Sequence, residues 1–279
     1  MNFLRIIPII FICFYTLSCG HTNSYAQGSD EIAQNIIIEP NTNIDMKTCL
    51  ETYIEANWQA YGYNKKPDKF IALTFDDGPC PAPFYGGSAA LLDVLKKYNV
   101  KVTFFVVGEM ITEFPDIALA MAAGGHELGN HSYGHQDLGN SSRLSSTAIM
   151  RNLEVTSQKI KEVTGEYPKI MRPPYISYGS AVINACKNIG MSIIVGNIDS
   201  RDWDKNVTPE MIKNNVINKS HDGGIAILHD TYAAHNRTIL AMPDIITALR
   251  ESGYWFVTVS ELAALKGVTL TAGEVYNSF

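Results

Sequence analysis

Five short clusters in this 279-residue chain carry side chains able to do chemistry. Asp76 and Asp77 stand before Gly78-Pro79. His131 and His135 bracket Ser-Tyr-Gly, and Arg172 opens Arg-Pro-Pro-Tyr. Asp199 and Asp202 precede Trp203, and His229 is followed by Asp230. Two imidazoles and one carboxylate leave open positions on a divalent metal, as in hydrolytic zinc sites. Such an ion brings the pKa of bound water to roughly 7 and polarises a carbonyl oxygen. A second carboxylate can take the water's proton. A histidine on the opposite side can protonate a leaving group, and a neighbouring carboxylate raises its pKa for that role. An arginine can hold the base carboxylate through a bidentate pair. These residue types spell metal-assisted hydrolysis with separate acid and base.

Each cluster also has a plainer reading. Asp76-Asp77 suit a turn, Arg172 a surface ion pair, Asp202 a helix cap before Thr208-Pro209, and His229 a structural histidine in a buried strand. His131 and His135 can face one metal if their segment is a helical turn. No rival catalytic class finds its parts: the chain has no GxSxG elbow, no GxxxxGK[ST] loop and no GxGxxG after a strand. Gly124-Gly125 and Gly223-Gly224 read as turn glycines.

The elements that must position these clusters alternate regularly. Strand-like runs fall at 70–75, 101–107, 126–130, 169–171, 192–198, 224–229 and 255–259. Helical patterns lie at 87–98, 114–123, 145–164, 178–189, 208–219 and 241–252, with a last one near 260–266. Strand and helix in alternation imply parallel strands with right-handed crossovers, in a closed barrel or an open doubly wound sheet. Every cluster directly follows or closes one of these runs. In a parallel barrel those C-terminal ends share one rim, where active sites are built.

The balance of 22 basic and 28 acidic residues, net charge -6, argues against a nucleic-acid partner. Residues 1–18 carry Arg5 and then an apolar run, too short to span a bilayer and suited to a signal peptide. Cys19 abuts that run in a lipobox-like Leu-Ser-Cys-Gly, so lipidation at Cys19 and a bacterial membrane-anchored or periplasmic protein are expected; cleavage after Ala26 is the competing reading. Residues 19–66 read as a tether plus an amphipathic helix from Met46 to Tyr61, 67–267 as one catalytic domain, and 268–279 as a tail. Cys49, Cys80 and Cys186 lack metal-site spacing and read as structural.

Thr74–Pro79 (TFDDGP), His131–His135 (HSYGH), Arg172–Tyr175 (RPPY), Asp199–Trp203 (DSRDW) and Ile227–Asp230 (ILHD) resemble, in order and spacing, the five motifs of the polysaccharide deacetylases. This is the NodB-homology group, family 4 of the carbohydrate esterases. The resemblance implies an α/β fold, a single distorted (β/α)7 barrel, in agreement with the seven runs counted above. It implies Asp76 as general base, Asp77, His131 and His135 as metal ligands, and Arg172 as the residue orienting Asp76. The Tyr175 backbone N–H would stabilise the oxyanion, and His229, tuned by Asp202, would be the general acid. Trp203 and Ile227 would wall the acetyl-methyl pocket. The implied cofactor is one divalent ion, zinc foremost, with cobalt or another divalent ion able to serve.

The implied activity is hydrolytic deacetylation of N-acetylglucosamine units in a glycan such as peptidoglycan or a chitin-like oligomer, by a monomer. An O-acetyl esterase acting on acetylated xylan would use the same residues, and a non-catalytic glycan-binding domain would leave gaps in them. Two departures stand out. Ile227 replaces the usual leucine, a volume-conserving change. Ile176 stands where many relatives have glycine, so the loop bearing the oxyanion N–H is expected to follow another path.

Overall fold

The computed structural model describes residues 45–81, 87–140, 144–230 and 236–279. The expected signal segment, Cys19 and the tether up to residue 44 lie outside these. The amphipathic helix expected from Met46 is α1 (Met46–Asn57), capped by Asp45, whose carboxylate accepts the Thr48 N–H at 2.9 Å.

Strands and helices then alternate: β1 (Lys69–Asp76), α2 (Gly87–Tyr98), β2 (Thr103–Val106), α3 (Gly108–Glu113), α4 (Pro115–Ala123), β3 (Glu127–Asn130), α5 (Ser146–Thr164) and β4 (Ile170–Met171). They continue through α6 (Ser180–Ile189), β5 (Ser192–Ile194), β6 (Ile198–Asp199), α7 (Pro209–Lys219), β7 (Gly224–His229), α8 (Arg237–Glu251), β8 (Tyr254–Phe256), α9 (Val259–Leu265) and β9 (Val275–Tyr276). Local chemistry fixes several ends. Ser145, Thr208 and Thr258 each cap the helix that follows, Thr258 in a reciprocal box with Glu261. Left-handed Gly165 and Gly190 stop α5 and α6.

The strand order is β6-β7-β1-β2-β3-β4-β5-β9, with β8 also beside β1, and every pairing is parallel. The sheet curls into a distorted (β/α)7 barrel of the expected kind. β1 is its hub, bonded to β7 over residues 71–76, to β2 over 74–76 and to β8 over 69–71. Alternation sorts its side chains: Ile71, Leu73 and Phe75 join the main apolar core with Leu91 and Leu95 of α2 and Ile245 and Ile246 of α8. Each such side chain contributes about 1.5–3 kcal/mol by leaving water. The intervening Thr74 and Asp76 face the other side, where Arg172 lies.

The run at 192–198, expected as one strand, is two. Its first half pairs with β4 and β9, its second with β7, and Val195-Gly196-Asn197 crosses between the two ends of the sheet. Gly196 makes this crossing possible: its φ is +76°, and a Cβ there would sit 2.8 Å from Ile227 Cγ1 and 3.2 Å from Arg172 Nη2. Residues 268–279, set apart as a tail in the sequence reading, supply β9, and Phe279 donates its N–H to Gly223 O at 3.0 Å.

Candidate active site

Because all strands run parallel, the residues at their C-terminal ends meet at one edge. Asp76 is the last residue of β1, Asp199 of β6 and His229 of β7, while His131 follows β3 and Arg172 follows β4. Backbone hydrogen bonds carry the ladder past the strands: His131 N to Val106 O at 3.0 Å, and Arg172 N to Asn130 O at 2.9 Å.

Asp77 leaves the strand with φ of +78°, which turns its carboxylate toward two imidazoles. Its Oδ1 lies 3.2 Å from His131 Nε2 and 3.1 Å from His135 Nε2, and the three possible ligand atoms fall within 4.8 Å of one another. His131 Nδ1 is 2.7 Å from Arg172 O. A carbonyl only accepts, so Nδ1 carries the hydrogen and the neutral ring turns the bare lone pair of Nε2 toward the carboxylate. Asp77 Oδ1 is buried with no hydrogen-bond partner among the described residues. An acceptor facing an acceptor is unfavourable unless a cation lies between them, and this donor set fits a divalent metal held by Asp77, His131 and His135.

The histidine pair is not on a helical turn. Residues 131–135 form an irregular loop in which Ser132 and His135 have φ of +66° and +54°. Asn130, fully buried, shapes it: its Oδ1 accepts the Ser132 N–H at 2.9 Å and its Nδ2 donates to Leu153 O at 2.8 Å.

Arg172 is fully buried, its guanidinium 4.2 Å from the Phe105 ring centroid. Nη1 donates to Asp76 Oδ1 at 2.8 Å and to Thr74 Oγ1 at 2.6 Å, and Nε donates to Ile194 O at 3.1 Å. The pair with Asp76 is therefore single, not the expected bidentate fork. Two of the fork's donor positions are spent on Thr74 and on the strand across the crossing.

His229 is gripped by Asp202. Its Nδ1–H donates to Asp202 Oδ1 at 2.7 Å and its backbone N–H to Oδ2 at 2.7 Å, while Thr238 Oγ1 donates to the same Oδ2 at 2.6 Å. Burial alone would lower the imidazole pKa; the Asp202 carboxylate, with Asp76 and Asp77 further off, raises it to about 10. With Nδ1 occupied, Nε2 is the atom left for a substrate.

The rest of the rim is built from exposed aromatics. Trp203 is 53% exposed and Tyr175 69%, the Tyr175 ring edge-on to His135 with centroids 4.7 Å apart. Ile227, on β7, is partly buried beside Gly196. Ile176 takes a left-handed φ of +54° without being glycine, as does Tyr175 at +60°, so the loop adopts the conformation it was expected to avoid. A cleft of about 660 Å³ opens beside the triad, lined by His135, Gln136, Asp137, Asn140, Leu144 and Tyr175 among others.

Thr74, Asn130, Thr238, Ser88 and Asp230 have parts here that their sequence positions do not reveal. Asp230 is buried beneath the Asp77-Gly78 turn and takes a hydrogen bond from Ser88 Oγ. Burial pushes its carboxyl up to about 7, against the Ser88 bond and with the help of the Asp77 charge. The signal for it was its place directly after His229. Thr238, 36 residues from Asp202 on another element, left none. Cys186 is buried and its thiol is pushed up to about 12, consistent with a structural role.

The family profile of the polysaccharide deacetylases matches residues 63–194. The chain is 37% identical over 208 residues to a bifunctional xylanase/deacetylase of Pseudobutyrivibrio xylanivorans, covering 74% of this chain and 32% of that protein. It is 34% identical over 211 residues to a peptidoglycan-N-acetylglucosamine deacetylase of Listeria monocytogenes, covering 76% and 42%. The chain thus spans less than half the length of these two relatives. Among solved structures, a family 4 acetyl xylan esterase from Clostridium thermocellum, in complex with a cobalt ion, superposes with a TM-score of 0.67 at 36% identity, over 75% of this chain and 98% of that one.

Proposed function

The chain belongs to the polysaccharide deacetylase family, and from that membership we propose that it hydrolytically removes acetyl groups from N-acetylglucosamine units of peptidoglycan or a chitin-like oligomer. A divalent ion at Asp77, His131 and His135, zinc foremost, would supply Lewis-acid polarisation of the acetyl carbonyl and a more acidic water. The protein's own groups supply the rest. Asp76, fixed by Arg172 Nη1, accepts a proton from the attacking water at its carboxylate. The Tyr175 N–H donates to the oxygen that becomes an oxyanion, a contribution of about 3 kcal/mol by analogy with other oxyanion donors. His229, kept protonated by Asp202, delivers a proton from Nε2 to the departing nitrogen. Trp203 and Ile227 wall the acetyl methyl, and the cleft beside Tyr175 receives the neighbouring sugar. Export through residues 1–18 with lipidation at Cys19 would bring the enzyme to the cell envelope.

The observation that carries this reading is the pairing of two carboxylates with opposite tasks around one ligand triad: Asp76 against Arg172, and Asp202 against His229. An amine leaves poorly unless protonated, so an imidazole held in its charged form suits amide hydrolysis. The similarity to an acetyl xylan esterase and a xylanase/deacetylase supports O-deacetylation of xylan as the second reading. Acetate release from chito-oligomers, peptidoglycan and acetylated xylan side by side separates them.

A further inference from the structure

Asp199 stands in the same motif as Asp202 yet has no part in the chemistry above. Its Oδ1 accepts two hydrogen bonds, one from the Arg201 backbone N–H at 2.8 Å and one from Trp203 Nε1–H at 3.3 Å. Arg201 sits at φ of +60°, a conformation that costs a non-glycine residue about 1 kcal/mol or more and persists only when its surroundings hold it. The surroundings here are dense. Lys219 Nζ donates to Asp199 O at 3.0 Å, Asn215 Nδ2 to Ser200 O at 2.8 Å, and Asp204 N to Arg201 O at 3.0 Å. The turn is braced against α7, and Asp199 is the point where that brace reaches the indole.

An indole that is half in solvent has two side-chain torsions to settle, and at Trp203 the Arg201 guanidinium, 5.9 Å from the ring centroid, is only a loose contact. The bond from its N–H to a carboxylate oxygen of the braced turn settles them. We propose that Asp199 is a positioning residue for Trp203 and thereby sets how closely the acyl group is enclosed, governing substrate affinity and acyl size, not proton transfer. The inference rests on the reading of Trp203 as a wall of the acetyl pocket.

The test compares Asp199→Ala and Asp199→Asn, with and without Trp203→Phe, in the metal-loaded protein. Kinetics on acetylated and propionylated chito-oligomers are paired with the indole N–H resonance of Trp203. Asp199→Ala should shift that resonance, raise KM about five- to tenfold with kcat within about twofold, and narrow the preference for acetyl over propionyl. Asp199→Asn keeps an acceptor oxygen and should restore all three. In the Trp203→Phe background Asp199→Ala should change little further. An unmoved resonance and KM in Asp199→Ala, loss of kcat or bound metal along with affinity, or full additivity with Trp203→Phe would each overturn the proposal. Absence of deacetylation by the unaltered protein would defeat the functional reading instead, and the resonance would still report whether Asp199 holds the ring.

Discussion

Asp202 binds His229 at two points, taking the imidazole Nδ1–H on one carboxylate oxygen and the residue's own backbone N–H on the other, each at 2.7 Å. The geometry fixes the ring and its charge together. Asp202 is fully buried, and Thr238 completes the coordination of its Oδ2. A buried carboxylate so placed favours the imidazolium strongly.

The first consequence concerns pH. In its proposed role as the acid His229 must be protonated, so turnover is expected to fall as pH rises through its pKa, raised here to about 10. Asp202→Asn removes the charge and keeps the shape. The alkaline limb of kcat against pH should move down by about 1 to 3 units. An unmoved limb would show that another group carries it.

The same shift bears on stability. A histidine whose folded pKa lies above its unfolded value of about 6.5 stabilises the fold fully below that value and loses the contribution as pH rises through the folded pKa. In chelated protein, unfolding midpoints should therefore decline between pH 6.5 and about 10 more steeply in the unaltered chain than in Asp202→Asn. Urea titrations at several pH values read this directly.

The ligand triad separates binding from chemistry. His131→Ala removes one of three donors and should abolish both stoichiometric metal and activity. Added zinc should raise the melting temperature of the unaltered protein and leave that of His131→Ala unchanged, since only native-state binding stabilises. Calorimetry with zinc alone measures the same loss without a substrate.

Ile176 offers a stability test that changes no charged group. A β-branched residue at φ of +54° is strained, and Ile176 is 37% exposed, so a polar side chain at this position still reaches water. Asparagine tolerates this conformation. Ile176→Asn should raise stability by about 0.5–1 kcal/mol with KM changed less than twofold, measured by denaturant unfolding and acetate release.

Much of this site is legible in the sequence because its residues close strands. Asp76, His229 and Asp199 end apolar runs, and parallel pairing then forces them to one edge. What stays hidden depends on backbone turns that short polar loops do not encode. The spacing of His131 and His135 suggests a helical turn, but Asn130 caps the Ser132 N–H and opens the segment into a left-handed loop. The run at 192–198 has the composition of one strand, and the single Gly196 sends its halves to different ends of the sheet. The fork expected of Arg172 is divided because Thr74, read only as a strand residue, competes for the same nitrogen. Thr238 reaches Asp202 from α8, a contact across 36 residues that no local pattern contains.

Under the proposed function Asp76 is the base of a metal-assisted N-deacetylation. Acetate release from N-acetylated chito-oligomers, by zinc-loaded protein and by zinc-loaded Asp76→Asn of equal metal content, tests this role most directly. Release by the unaltered protein and a loss of about 100- to 10,000-fold in the variant, the scale of a removed general base, are expected. Near-normal turnover by metal-loaded Asp76→Asn would contradict this role.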